Sequence, residues 1–233
     1  MMKFLVLQHI PIEHPGIFRD FMKKDNIEIH TVELDEGETI PDLKSYDAMI
    51  VMGGPMDTWQ EEEYSWLKPE KESIYEFACI HKKPYLGLCL GAQLLGEVIG
   101  GEVKKMEIPE IGALTIDISN HETIFKNMPS KIKVLQWHSY EVSNLPKEAS
   151  LLASSNECLV QAFSFNKAFG LQFHVEQTEN TVPQWSCVPE YKLALEKTLG
   201  DGALEKFEKD INCNLIDFNK KAEQIYNNFL QVF

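Results

Sequence analysis

The chain has 233 residues, 44% of them hydrophobic and 25% charged, which is enough to bury a core without disulfides or structural metal. A formal net charge of −14, with no clustered Lys/Arg stripe, excludes a nucleic-acid-binding protein. Five scattered cysteines without a C-x-x-C fit a reducing compartment, and Tyr85–Gly100, the longest apolar stretch, is broken by Gln93 and Glu97, so a cytoplasmic protein with no membrane span is expected.

In chain order, Lys3–Leu7 reads as a short apolar strand, followed by a helical period over Ile17–Lys24. Ile27–Leu34 alternates as a half-buried strand, with Ile27, Ile29, Thr31 and Glu33 on one side. Tyr46–Met52 is nearly all apolar and stops at Gly53-Gly54-Pro55, the pattern of a buried parallel strand ending in a tight turn. Trp66–Lys83 has helical spacing, with Leu67, Ile74, Phe77, Ala78 and Cys79 on one face. Pro84–Leu88 is a second buried strand, and Leu90–Ile99 an apolar helix closed by Gly100-Gly101. Alternating strands and helices imply an open, mostly parallel sheet flanked by helices, with right-handed crossovers. Beyond Glu102 the signal changes to short strands at Leu114–Ile118, Ile132–Trp137, Leu151–Ser154, Leu159–Phe163 and Phe169–Phe173. Helical periods return at Tyr191–Leu199 and Leu204–Phe229. With no linker or repeat, residues 1–233 are expected to form one domain, its helical C-terminal extension (about 190–233) capping the sheet.

Gly87-Leu88-Cys89-Leu90-Gly91, between a buried strand and a helix, has the G-x-nucleophile-x-G form of a strand–turn–helix elbow. Glycines two residues to either side tolerate a turn that a Cβ would obstruct, and a helix N-terminus behind a thiol favours the thiolate. The Leu90 amide points where an oxyanion would form. His174-Val175-Glu176 closes the Phe169–Phe173 strand; residues two apart on a strand share a face, so Glu176 can orient His174 as the base for Cys89. The Gly53-Gly54-Pro55 turn exposes amides at the carboxyl edge of the sheet, making Gly54 N–H a second oxyanion donor.

Three segments together resemble the class I glutamine amidotransferase family from about Lys3 to Thr178: Met52–Met56, Pro84–Gln93 and Gly170–Glu176. The likeness is greatest to the free-standing branch related to the glutaminase domain of GMP synthetase and to γ-glutamyl peptidases. The resemblance implies a flavodoxin-like three-layer fold and cysteine-dependent hydrolysis of a γ-glutamyl amide, glutamine or another γ-glutamyl compound, through a glutamyl thioester. It implies Cys89 as nucleophile, His174 as base then acid, Glu176 as orienter, and Gly54 and Leu90 amides as oxyanion donors. It further places Gln93 beside the bound side chain, and makes Gln136-Trp137-His138-Ser139-Tyr140 the loop that holds the α-amino and carboxylate groups. Relatives often carry an acidic residue where Tyr140 stands. Neither a metal nor an organic cofactor is expected: H-E-x-x-H, the phosphate loop and G-x-G-x-x-G after the first strand are all missing from the sequence. Three readings remain: an autonomous γ-glutamyl hydrolase, a glutaminase subunit delivering ammonia to a separate synthetase, or a catalytically silent binding protein. The intact Cys–His–Glu set speaks against the last. Oligomeric state is not legible.

Overall fold

A computed structural model describes residues 1–233. Its elements are β1 (Lys3–Gln8), α1 (Phe18–Lys24), β2 (Glu28–Glu33), β3 (Ala48–Val51), α2 (Leu67–Ile74), β4 (Tyr85–Leu88), α3 (Leu90–Val98), β5 (Glu102–Ile118), β6 (Lys131–Asn144), β7 (Ser150–Ser154), β8 (Ala162–Phe165), β9 (Ala168–Leu171), α4 (Thr181–Trp185), α5 (Pro189–Leu199) and α6 (Leu204–Phe229). They form one nine-stranded sheet in the order β2-β1-β3-β4-β9-β8-β7-β5-β6. From β2 to β9 the neighbours are parallel; from β9 to β6 they are antiparallel.

The strand period of two builds the layers. Phe4 and Val6 of β1 enter one core with α1 and the end of α6, while Leu5 and Leu7 enter the opposite core with α2 and α3. Because both faces are covered, central strands such as β3 and β4 are buried at every residue. The alternation expected on β2 is correspondingly weaker: Val32 and Leu34 are buried, whereas Ile29, Thr31 and Glu33 are only partly so. The helix expected over Trp66–Lys83 changes character midway, since α2 widens into a π-helical stretch at Tyr75–Ile80.

The second half departs most from expectation. β5 and β6 are long paired strands, not the short runs at Leu114–Ile118 and Ile132–Trp137. The register shifts between Lys105 and Glu110, and the preceding part of β5 exposes Lys104, Lys105 and Glu107, so no continuous apolar run marks it. β8 begins at Ala162 rather than Leu159, because Ser155–Cys158 closes a turn and Leu159 is exposed.

The C-terminal helices pack on the sheet. α6 buries Phe207, Ile211 and Phe218 against Trp137, Trp185 and Leu195, then Ala222, Ile225, Tyr226 and Phe229 against the α1 side, one stripe at helical spacing. Tyr226 Oη also donates to Asp25 Oδ2 at 2.8 Å. No helix is long and apolar enough to cross a membrane. Phe218→Ala should therefore cost about 3–5 kcal/mol of stability in urea unfolding; a loss below about 1 kcal/mol would mean that α6 is not part of the core.

Candidate active site

The carboxyl ends of β3, β4 and β9, adjacent in the sheet, deliver three segments to one place. Cys89 follows β4 directly and caps α3 at φ +50°, ψ −104°, a conformation sparsely populated by side-chain-bearing residues. The turn is held from all sides. Cys89 N–H donates to Leu171 O at 2.8 Å, and Cys89 O accepts from the Ala92 and Gln93 amides. A Cβ on Gly87 would stand 2.4 Å from Gly91 O, and one on Gly91 2.2 Å from Val51 O, so both glycines of the elbow are sterically required.

His174 and Glu176 lie beyond the end of β9 at Leu171, not on the strand as expected. Only the reciprocal backbone pair of His174 with Leu135 continues the ladder. The Val175 N–H turns instead to Glu176 Oε2 at 2.9 Å, fixing a carboxylate whose Oε1 accepts from His174 Nδ1 at 2.6 Å. The two groups still meet, through a local bend rather than through strand alternation. With Nδ1 committed to Glu176, Nε2 is the nitrogen left for Cys89. Trp185 of α4 packs edge-on against the imidazole at 4.6 Å between ring centroids. Burial penalises the His174 imidazolium, but the Glu176 carboxylate and the Cys89 sulfur outweigh it and hold His174 well above its ordinary value.

A cavity of about 220 Å³ opens over Cys89 and is also lined by Gly54, Leu90, Gln93, Trp137, His138 and Tyr140. It is smaller than the roughly 300–1,000 Å³ of drug-sized pockets and suits a single amino-acid side chain. Of the residues expected from sequence, only Gln136 stays away. It is fully buried and donates to Gln161 Oε1 at 2.8 Å, because its neighbour Trp137 occupies the opposite face of β6. Gln93 Nε2 donates to Tyr140 O (3.1 Å) and Gln172 Oε1 (3.2 Å).

Sequence reasoning misses Gln172, Tyr191, Glu13 and Asp57. Gln172 Nε2 lies 3.6 Å from Cys89 Sγ; its signal is a polar residue inside the apolar run Phe169–Phe173. Tyr191 of α5 lines the cavity and donates to Glu13 Oε1 at 2.5 Å. Burial pushes the Glu13 carboxyl up, against the opposing pull of His174 and the Tyr191 hydroxyl. Asp57 also lines the cavity, and burial raises its carboxyl as well. Glu13, Asp57 and Tyr191 have no local pattern that would mark them.

Glu110, His138 and Cys158 bring three potential metal ligands within 4.8 Å of one another. Glu110 already accepts from Ser155 Oγ (2.7 Å) and Gln161 Nε2 (2.5 Å), and its Oε2 lies 3.2 Å from His138 Nε2. Burial, with Glu141 and Glu110 nearby, pushes the Cys158 thiol far up, so it keeps its proton. The cluster is a polar network closed on itself, a poor donor set for an ion.

Comparison with known proteins places this geometry. The profile described as "Glutamine amidotransferase class-I" matches residues 16–184. One of the two chains of the glutamine-hydrolyzing GMP synthase of Sulfolobus acidocaldarius is 33% identical over 150 residues, 64% of this chain and 77% of that protein. Its same-named counterpart in Saccharolobus solfataricus is 37% identical over 139 residues, 59% of this chain and 71% of that one. The crystal structure of a glutamine amidotransferase from Thermotoga maritima superposes with a TM-score of 0.89 at 28% identity, covering 98% of each chain.

A histidine whose folded value is raised contributes stability that is fully present below the unfolded value, and loses it as pH rises through the folded one. His174 should accordingly titrate above 6.5 in an NMR pH series, and Glu176→Gln should bring it down. An unshifted His174 in the native chain would contradict the coupling to Glu176 and Cys89.

Proposed function

The chain belongs to the class I glutamine amidotransferase family, enzymes that hydrolyse the glutamine amide, and from that premise we propose that Cys89, His174 and Glu176 carry the reaction. The supporting observation is the convergence on one cavity of a strained Cys89, a His174–Glu176 pair at 2.6 Å, and the Gly54 and Leu90 backbones.

In this reading Cys89 is a thiolate beside the His174 imidazolium. Sγ attacks the side-chain carbonyl carbon of glutamine, and the oxygen takes up negative charge between the Gly54 and Leu90 N–H groups. As the tetrahedral species collapses, His174 Nε2 gives its proton to the departing nitrogen, which leaves as ammonia. The now neutral His174 takes a proton from water as the water attacks the thioester. Collapse releases glutamate and restores the thiolate–imidazolium pair. Glu176 holds the ring and stabilises its charged form throughout. The Gln172 carboxamide, fixed by Gln93, donates toward the thiolate between turnovers.

Recognition of the α-ammonium group falls to Asp57 and Glu190, which bring carboxylates to the cavity wall beside Tyr140. The names of the relatives, as subunits of a GMP synthase, favour an ammonia acceptor on a separate synthetase chain. A second reading, a larger γ-glutamyl substrate, is favoured by an adjoining groove of about 740 Å³ that shares Pro55, Met56, Asp57 and Glu190 with the cavity.

Glutamate release from glutamine and from γ-glutamyl peptides, with Cys89→Ala as blank, tests the reading. Cys89-dependent release from glutamine, or release that begins only when a synthetase is added, supports the glutaminase; preference for peptides supports the second reading. Covalent labelling by a diazo-ketone glutamine analogue that persists in Cys89→Ala would refute the nucleophile. Asp57→Asn removes a charge-assisted hydrogen bond worth about 1.5–3 kcal/mol and should raise KM roughly 10- to 100-fold with little change in kcat. An unchanged KM would remove Asp57 from recognition.

A further inference from the structure

His9 follows the last residue of β1 and has no solvent exposure, yet it touches no reacting group. Its Nδ1 lies 2.8 Å from Gly53 O, and its Nε2 2.9 Å from Oε1 of Glu70, which is equally buried on α2. A carbonyl can only accept, so Nδ1 carries a proton; Glu70 then holds the other nitrogen of a fully buried ion pair. Burial pushes the His9 imidazolium down, but the charge and hydrogen bond of Glu70, with the Gly53 carbonyl, carry it above its ordinary value.

The consequence is geometric. The chain has no cis peptide bond, and in a planar trans peptide the C=O and the N–H point in opposite directions. Gly53 C=O and Gly54 N–H belong to one such peptide, so drawing the oxygen toward His9 turns the N–H away from it. Gly54 lines the cavity with Cys89 and Leu90. The peptide is tightly enclosed: a Cβ on Gly54 would meet His9 Cβ, Leu90 Cδ2 and Met56 Sδ, each at 3.1 Å, and one on Gly53 would lie 3.2 Å from His174 Cε1.

We infer that His9 and Glu70 are positioning residues for the oxyanion site: by holding the Gly53 carbonyl they fix the Gly54 N–H toward the oxygen that Cys89 chemistry makes negative. The inference rests on the role given to Gly54 above. A buried ion pair adds little net stability over apolar residues of similar volume, so stability alone gives no reason for placing one behind this peptide. Neither side chain reaches the cavity, so substrate binding should be spared and the transition state alone affected.

The test compares His9→Gln, whose amide can still donate to Gly53 O, with the double variant His9→Leu/Glu70→Leu, which removes both charges and leaves neither orphaned. In the double variant kcat for glutamine should fall about 100-fold, the scale of losing one oxyanion donor, with KM within about threefold of the native value. His9→Gln should recover at least about a tenth of native kcat. Affinity for the γ-semialdehyde of glutamate, which forms a charged tetrahedral adduct on a thiolate, should fall in parallel with kcat. An unchanged kcat, or a loss carried entirely by KM, overturns the inference. Crystals of the double variant supply a readout independent of turnover: a rotated or disordered Gly53–Gly54 peptide is expected, and an unmoved one overturns the proposal. A native chain that releases no glutamate would count against the functional reading, and the peptide orientation would still decide this one.

Discussion

The structure depends on keeping a side-chain-bearing residue at φ +50° where β4 turns into α3. Such a backbone costs on the order of 1–3 kcal/mol and persists only where its surroundings over-determine it. Those surroundings are the sheet itself. Leu171 at the end of β9 takes the Cys89 amide, Met52 just after β3 takes the Gly91 amide, and Tyr85 Oη at the start of β4 reaches Gly91 O at 2.8 Å. The strands flanking β4 thus brace the turn and also supply its chemical neighbours, Gly53-Gly54 after β3 and His174 after β9. Strand order and site geometry are one constraint.

Around this turn the chain buries three histidine–glutamate pairs: His9 with Glu70, His138 with Glu110, and His174 with Glu176. Their geometry assigns them different work. Nδ1 of His9 donates to Gly53 O, and Nδ1 of His138 donates to Tyr140 O at 2.9 Å, so two pairs grip the backbones of loops on opposite sides of the cavity. The third gives its Nδ1 to the carboxylate instead, which frees its other nitrogen for the sulfur. A protein with a net charge of −14 places its fully buried acids here, where imidazoles and hydroxyls face them.

The parallel half is legible because its strands are short, apolar on both faces and punctuated by glycine, and the elbow, Gly53-Gly54 and His174-Val175-Glu176 all sit at strand ends that the sequence marks. The C-terminal helix is equally plain from its spacing, down to Leu204 and Phe229. β5 and β6 are not, since one face of the ribbon is open to solvent and a register shift near Lys105 breaks the alternation. Gln136 escapes a reading of Gln136–Tyr140 as one loop, because alternation along β6 sends it away from Trp137. Glu70 does leave a trace: three residues after Leu67 and four before Ile74, it stands on the buried stripe of its helix. The Glu13–Tyr191 contact joins residues from opposite ends of the chain and has no sequence signature at all.

The central claim is that Cys89 forms a glutamyl thioester. Acid-quenching the enzyme during turnover of glutamine, followed by peptide mass spectrometry, tests it directly. The account predicts a glutamyl adduct on the peptide carrying Cys89, lost on treatment with hydroxylamine. Turnover with that peptide unmodified, or with the adduct on exposed Cys187 or Cys213 instead, would contradict it.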